Sequence, residues 1–261
     1  MIVIVQTIIT QIAVILLFIL ILLLADNKKK LKDSVLLILI FFCVFFVSSL
    51  ILWYIPNTFH LFGRKITVHW NWFGKAGSFA FGLLFLLTVY LHKKIPFHEF
   101  KFSLKQKNES WSNSLILGGF ILIPNIILLV FFHEKGSIRD SLNESFFFQL
   151  TMPGIEEELI FRGILLGLLN RVFEKRMFLF RMKFGWGLIL TSILFGLVHG
   201  LRIKQGFSPD INVMRILITG IYGFLFGLVA ENSDSLLLPV IFHNMSNSVL
   251  YLKYYLILMR Y

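Results

Sequence analysis

Apolar runs of about 20 residues, the length a helix needs to cross roughly 30 Å of hydrocarbon, recur along this sequence. They are read at residues 2–24, 34–56, 75–91, 114–132, 146–169, 187–200, 216–230 and 236–259. The first run carries no charge and lacks the basic flank and short apolar stretch of a cleavable signal peptide, so it reads as a retained anchor. Composition agrees. Of the 261 residues, 57% are hydrophobic and 15% charged, against about a quarter charged in soluble domains, and 30 Phe exclude disorder. The expected fold is all-α: a polytopic membrane bundle of about eight transmembrane helices, forming one membrane-embedded domain over residues 1–261. Pro124 is expected to kink the fourth helix. No internal repeat, Pro- or Ser-rich linker or low-complexity tail interrupts the chain.

Lys and Arg number 25 against 14 Asp and Glu, a formal charge of +11. In a soluble protein this would point to nucleic acid. Here the basic residues gather in short loops, where they hold the chain on an anionic leaflet, so the partner implied is the bilayer and not nucleic acid. Lys28, Lys29, Lys30 and Lys32 follow the first run, Lys93, Lys94, Lys101, Lys105 and Lys107 the third, and Arg171, Lys175, Arg176, Arg181 and Lys183 the fifth. The intervening loops carry fewer: Arg64, Lys65 and Lys75, then Lys135 and Arg139, then Arg202, Lys204 and Arg215. The positive-inside rule puts the richer loops in the cytoplasm and both termini outside. The single Cys43 can form no intrachain disulfide.

Ionisable groups within a span cost about 2.5–3.5 kcal/mol each on insertion scales and are functional candidates by default. Three groups qualify: Glu156, Glu157, Glu158 and Arg162 in the fifth run, Phe195 and His199 in the sixth, His243 and Asn247 in the eighth. Glu158 and Arg162, four apart, pair on one helix face, while Glu157 points about 100° away and is left over. An unpaired carboxylate in low-dielectric surroundings gains basicity, as a general base working near neutral pH requires. Glu156 receives no role. His243 and Asn247 share a face and can aim donors at one point, an arrangement like an oxyanion hole. Counted along their runs, His199 and Glu157 both fall near mid-bilayer, with His243 and Asn247 at comparable depth. His60, His69, His92, His98 and His133 read as loop or helix-end residues. The H-E-x-x-H zinc helix is absent, because Phe102 and Ser137 stand where its second His would be needed. Gly163 and Gly167, Gly196 and Gly200, and Gly223 and Gly227 are each spaced for close helix approach.

The ordered set Glu157-Glu158-x-x-x-Arg162, Phe195-x-x-x-His199 and His243-x-x-x-Asn247 resembles the CAAX proteases and bacteriocin-processing enzymes. That is the family of the Ras-converting CAAX prenyl endopeptidase. The resemblance covers roughly residues 153–247, within a catalytic core of about 145–250; residues 1–132 supply N-terminal transmembrane helices without a motif. It implies an intramembrane endopeptidase in which Glu157, helped by His199, activates a water while His243 and Asn247 stabilise the oxyanion, with Glu158, Arg162 and Phe195 in support. The family has also been described as zinc-dependent, and Glu157, His199 and His243 with a water would complete a tetrahedral set. The metal-free form is favoured, since Asn is a poor zinc ligand and Glu158 is committed to Arg162. The substrate implied is a lipidated or hydrophobic membrane-associated peptide, reached through a polar cavity expected to open to the cytoplasm. The Phe, Ile and Lys bias points to a bacterial plasma membrane. A non-catalytic scaffold or a bacteriocin self-immunity protein is the alternative; a proton-coupled transporter would show inverted repeats, and none is seen.

Overall fold

The computed structural model describes residues 9, 12, 31–55, 58–61, 64–131, 142–173, 176–179, 182–203 and 208–258. Apart from residues 9 and 12 the expected first span lies outside them, as do the basic residues at 28–30, 135, 139, 175, 181 and 204. Eight helices carry the described fold: α1 Leu31–Tyr54, α2 Trp72–His92, α3 Trp111–Phe131, α4 Leu142–Glu158, α5 Leu166–Val172, α6 Trp186–Gly200, α7 Val213–Ser233 and α8 Leu237–Leu258. The chain is a helical membrane protein. Four stretches, Val35–Tyr54, Trp72–His92, Asn108–Leu128 and Val213–Ser233, are long and apolar enough to cross a bilayer, and α6 is a shorter apolar helix. Three antiparallel hairpins depart from the all-α expectation: β1 Thr58–Leu61 with β2 Arg64–Thr67, β3 Arg176–Leu179 with β4 Met182–Gly185, and β5 Leu201–Ile203 with β6 Pro209–Ile211. They sit in the connections, where short paired strands satisfy backbone groups that a bare loop would leave open.

The centre of the bundle is the acid-bearing fifth run. α4 continues through a π-helical stretch, Leu159–Leu165, into α5. From Glu158 to Asn170 every residue is buried, the pattern of a helix surrounded on all sides. Its apolar side chains from Leu159 to Leu169, Leu166 excepted, join those of α1, α2 and α6 in one core; Leu166 belongs to a second core with α3, α7 and α8.

Small residues let the neighbours come close. The buried stripe of α2, Gly74, Ser78, Gly82 and Leu86, repeats every four residues, and a Cβ on Gly82 would lie 2.9 Å from Leu159 Cδ2. The expected close approaches at the paired glycines are present: a Cβ on Gly167 would lie 2.8 Å from the Glu99 carbonyl oxygen, one on Gly196 2.5 Å from that of Ile216, and one on Gly223 3.1 Å from Phe195 Cδ1. Pro153 lies inside α4 and cannot donate to the helical ladder. Beside it the Asn244 amide staples α4 to α8, accepting from the Gly154 N–H at 2.7 Å and donating to the Thr151 carbonyl at 2.9 Å.

Candidate active site

Consecutive residues of a helix project about 100° apart, so Glu156, Glu157 and Glu158 leave the end of α4 in three directions, with Lys75 shared by the first two and His243 by the last two. Glu158 is fully buried. Its Oε1 lies 3.2 Å from Arg162 Nη1 in an ion pair and accepts from His243 Nδ1 at 2.7 Å. The expected pairing across one helical turn is therefore present, with an imidazole added. Arg162 also donates from Nη2 to the Gly223 carbonyl at 3.1 Å and lies 4.2 Å from the Phe195 ring centroid, a cation–π contact strengthened by desolvation.

Phe195 and His199 stand one turn apart on α6. The Phe195 carbonyl lies 2.7 Å from His199 Nδ1. A carbonyl only accepts, so the proton is on Nδ1, and Nε2 of the neutral ring carries a lone pair. The same holds for His243, whose Nδ1 faces the Glu158 carboxylate and whose ring stacks on Phe226 at 4.7 Å with 5° between planes. His199 Nε2 and His243 Nε2 lie 3.7 Å and 3.8 Å from one atom, Glu157 Oε2. That oxygen is buried and has no hydrogen-bond partner among the described residues.

Glu157 is not the unpaired carboxylate that helical spacing implies. Its Oε1 is 2.5 Å from Lys75 Nζ, and the same ammonium is 2.7 Å from Glu156 Oε2. Glu156, given no role above, also accepts from Ser78 Oγ at 2.5 Å, and Ser78 Oγ lies 2.7 Å from Ser48 Oγ of α1. Lys75, counted with the loop charges, belongs instead to the first turn of α2, with its side chain only 13% exposed. The sequence signal was available: it is a charge at the edge of an apolar run, the criterion that singled out the glutamates.

A cavity of about 640 Å³ lies over this cluster, lined by Glu157, His199, His243 and Asn247 together with Lys75 and Tyr222. Asn247 thus shares the chamber with the two imidazoles, one turn beyond His243. Sequence reasoning missed Asn125, whose amide lies 3.0 Å from Tyr222 Oη and 2.8 Å from Ser246 Oγ on the chamber wall. His69, His92 and His98 are exposed, as expected of surface residues; nothing is described of the side chains of His60 and His133.

His199 is in the last turn of α6. The chamber is also lined by Trp70, Asn71, Arg202 and Arg215, which belong to the connections that carry fewer lysines.

The donor set can be tested against zinc. The two Nε2 lone pairs are of the right chemistry, and each Nδ1 is held as zinc-binding imidazoles require. The carboxylate is not free, however, because the Lys75 ammonium already shares it and would oppose a dication. Among the described residues no group of three or more His, Cys, Asp or Glu is arranged to hold a metal ion. The residues as placed do not fit zinc.

Residues 142–249 match the family described as Type II CAAX prenyl endopeptidase Rce1-like. This stretch is similar to the CAAX protease family. No curated protein and no solved structure matches the chain. The CAAX protease match runs from the start of α4 into α8 and takes in every motif residue from Glu157 to Asn247, but it ends short of α1, α2 and α3, and so leaves Lys75, Ser78 and Asn125 outside.

Proposed function

We propose that the protein is an intramembrane endopeptidase that hydrolyses a peptide bond in a lipidated or hydrophobic membrane-associated peptide, with Glu157 as general base. One observation carries this reading: Glu157 Oε2, His199 Nε2 and His243 Nε2, three acceptors when the rings are neutral, converge within 3.8 Å on the chamber wall. A water brought there can donate protons to them while its oxygen remains free to attack. Glu157 takes one proton as the oxygen bonds to the scissile carbonyl carbon, and His199 Nε2 orients the water. The carbonyl becomes a tetrahedral oxyanion, stabilised by the Asn247 amide, while His243 Nε2, a lone-pair site as long as its Nδ1–H is held by Glu158, helps to hold the water. An oxyanion donor of this kind is worth about 10²–10³ in kcat. The proton held by Glu157 then passes to the leaving nitrogen as the C–N bond breaks, giving a new carboxyl terminus and a free amine. One proton of the water reaches the amine through Glu157 and the other stays on the new carboxyl group, and no metal is routed through the step.

The aromatic lining from Trp53, Trp70 and Phe148 suits an apolar peptide or lipid-bearing chain. The test compares peptides recovered from membranes carrying the wild-type protein with those from the isosteric Glu157→Gln variant. A family of fragments present with wild type and missing with the variant, its uncut precursor accumulating, is the expected result. Identical peptide profiles at equal protein levels would overturn the protease reading and favour a non-catalytic scaffold.

A further inference from the structure

Lys75 does more than neutralise charge. It comes from α2, outside the stretch that matches the CAAX protease family. Burying an ammonium is costly unless it is paired, and here it is matched by two carboxylates on consecutive residues of another helix. Its place is fixed from behind: Glu156 holds it at 2.7 Å, Ser78 one turn along α2 holds Glu156 at 2.5 Å, and Ser48 on α1 holds Ser78 at 2.7 Å. Three helices thus converge to aim one ammonium at Glu157 Oε1.

A carboxylate has two oxygens and one terminal torsion, and that torsion is broad and soft. Fixing Oε1 fixes Oε2. With Oε1 on Lys75, Oε2 is the oxygen turned to His199 Nε2 and His243 Nε2. Without Lys75, Glu157 can rotate, or follow the 180 Å³ cavity on its other side, which is lined by Ser48, Ser49 and Trp53 and shares Lys75, Glu157 and His199 with the chamber.

We infer that Lys75 is a positioning residue of the active site: the ammonium of α2, anchored through Glu156 and Ser78, holds Glu157 Oε1 so that Oε2 presents its lone pair to the water between the two imidazoles. This rests on Glu157 being the general base. It also means that the matched 142–249 stretch is an incomplete catalytic centre, finished by a helix that precedes it.

The test uses the full-length purified protein and, as substrate, a synthetic peptide spanning a cleavage site recovered by comparing wild type with Glu157→Gln. Lys75→Met alone leaves two buried carboxylates unmatched and can fail to fold. The informative variant is therefore Lys75→Met combined with Glu156→Gln, which restores the wild-type net charge of the cluster. Its thermal midpoint should stay close to wild type, its KM should change little, and its kcat should fall about a hundredfold, the effect of a misplaced reacting group. Lys75→Arg, which keeps a cation, should recover most of the lost kcat. Wild-type kcat in the double variant would overturn the inference, leaving Lys75 as a counter-ion for Glu156 alone. So would a kcat in Lys75→Arg as low as in the double variant. Should Glu157→Gln itself cleave normally, the protease reading falls first, and that result is distinct from either of these.

Discussion

Arg162 shows how a single buried charge can organise this site. Its guanidinium is 2% exposed, ion-paired with Glu158, bonded to the Gly223 carbonyl and stacked on Phe195. Each contact reaches a different helix, so Arg162 joins α4 to α6 and α7 around His243. Removing one partner of a buried pair leaves the other charge uncompensated, at a cost of about 3–5 kcal/mol. Arg162→Met should therefore lower the thermal midpoint sharply in detergent, while Arg162→Met with Glu158→Gln should recover most of the loss. A double variant no more stable than the single would show that the cation–π stack and the Gly223 bond, rather than the ion pair, carry the stability. The Glu158–Arg162 pair was legible in the sequence because both residues lie on one helix, where spacing fixes geometry. The Lys75–Glu157 pair was not, because nothing in a local pattern brings residue 75 beside residue 157. Helical spacing correctly turned Glu157 away from Arg162 but could not show what it turned toward.

At the scale of elements, α2 has to be seated correctly for Lys75 to reach its partners, and the seat is built by Glu144 just before the expected fifth span. Its Oε1 accepts from the His69 and Trp70 amides, both at 2.9 Å, and from the Trp72 indole at 3.2 Å. Desolvation pushes this carboxyl up, but the Trp70 and His69 amides and the Trp72 indole outweigh it and hold the carboxyl below its ordinary value. A group whose folded value lies below its unfolded one adds stability above the unfolded value and loses it as pH falls. Glu144 is largely solvated, so screening keeps the contribution small, about 1 kcal/mol. Glu144→Gln should lower the thermal midpoint by a few degrees at pH 7, and the difference from wild type should shrink on acidification below about pH 4.5. A difference that stays constant down to pH 3 would mean the clamp does not depend on the carboxylate charge. Among the described residues the apolar runs made the helices legible, and the observed helices extend several expected bounds: α2 begins at Trp72 rather than residue 75 and α7 runs Val213–Ser233 rather than 216–230. The extensions are polar or capped turns such as Asn71, which accepts from Gly74 N–H. The hairpins and the π-helical stretch escaped notice because they are set by tertiary pairing and packing, not by a period in the sequence.

For the whole molecule, the two ends differ in charge and in what they expose. Lys101 and Glu231, and Arg171 and Glu99, are ion-paired at 3.5 Å, which gathers the connections after α2, α5 and α7 at one end, with Lys105 and Lys107 beside them. The other end carries Arg202 and Arg215 at the chamber rim, and moving Lys75 from that loop into the bundle removes a basic residue from it. The contrast between the ends that orients a membrane protein is therefore sharper than the raw sequence count. A cytoplasmic lysine-rich end places the chamber mouth on the outer face, so the substrate would be met after export or in the outer leaflet. With Cys43 replaced by Ser, Arg215→Cys should react with a membrane-impermeant maleimide in intact cells, and Lys105→Cys only after permeabilisation. Reversed labelling would put the chamber on the cytoplasmic side and make its peptides cytoplasmic ones. The geometry of Glu157, His199 and His243 is untouched by either outcome, since facing depends on the charge carried by the loops whereas catalysis depends on the buried groups between the helices.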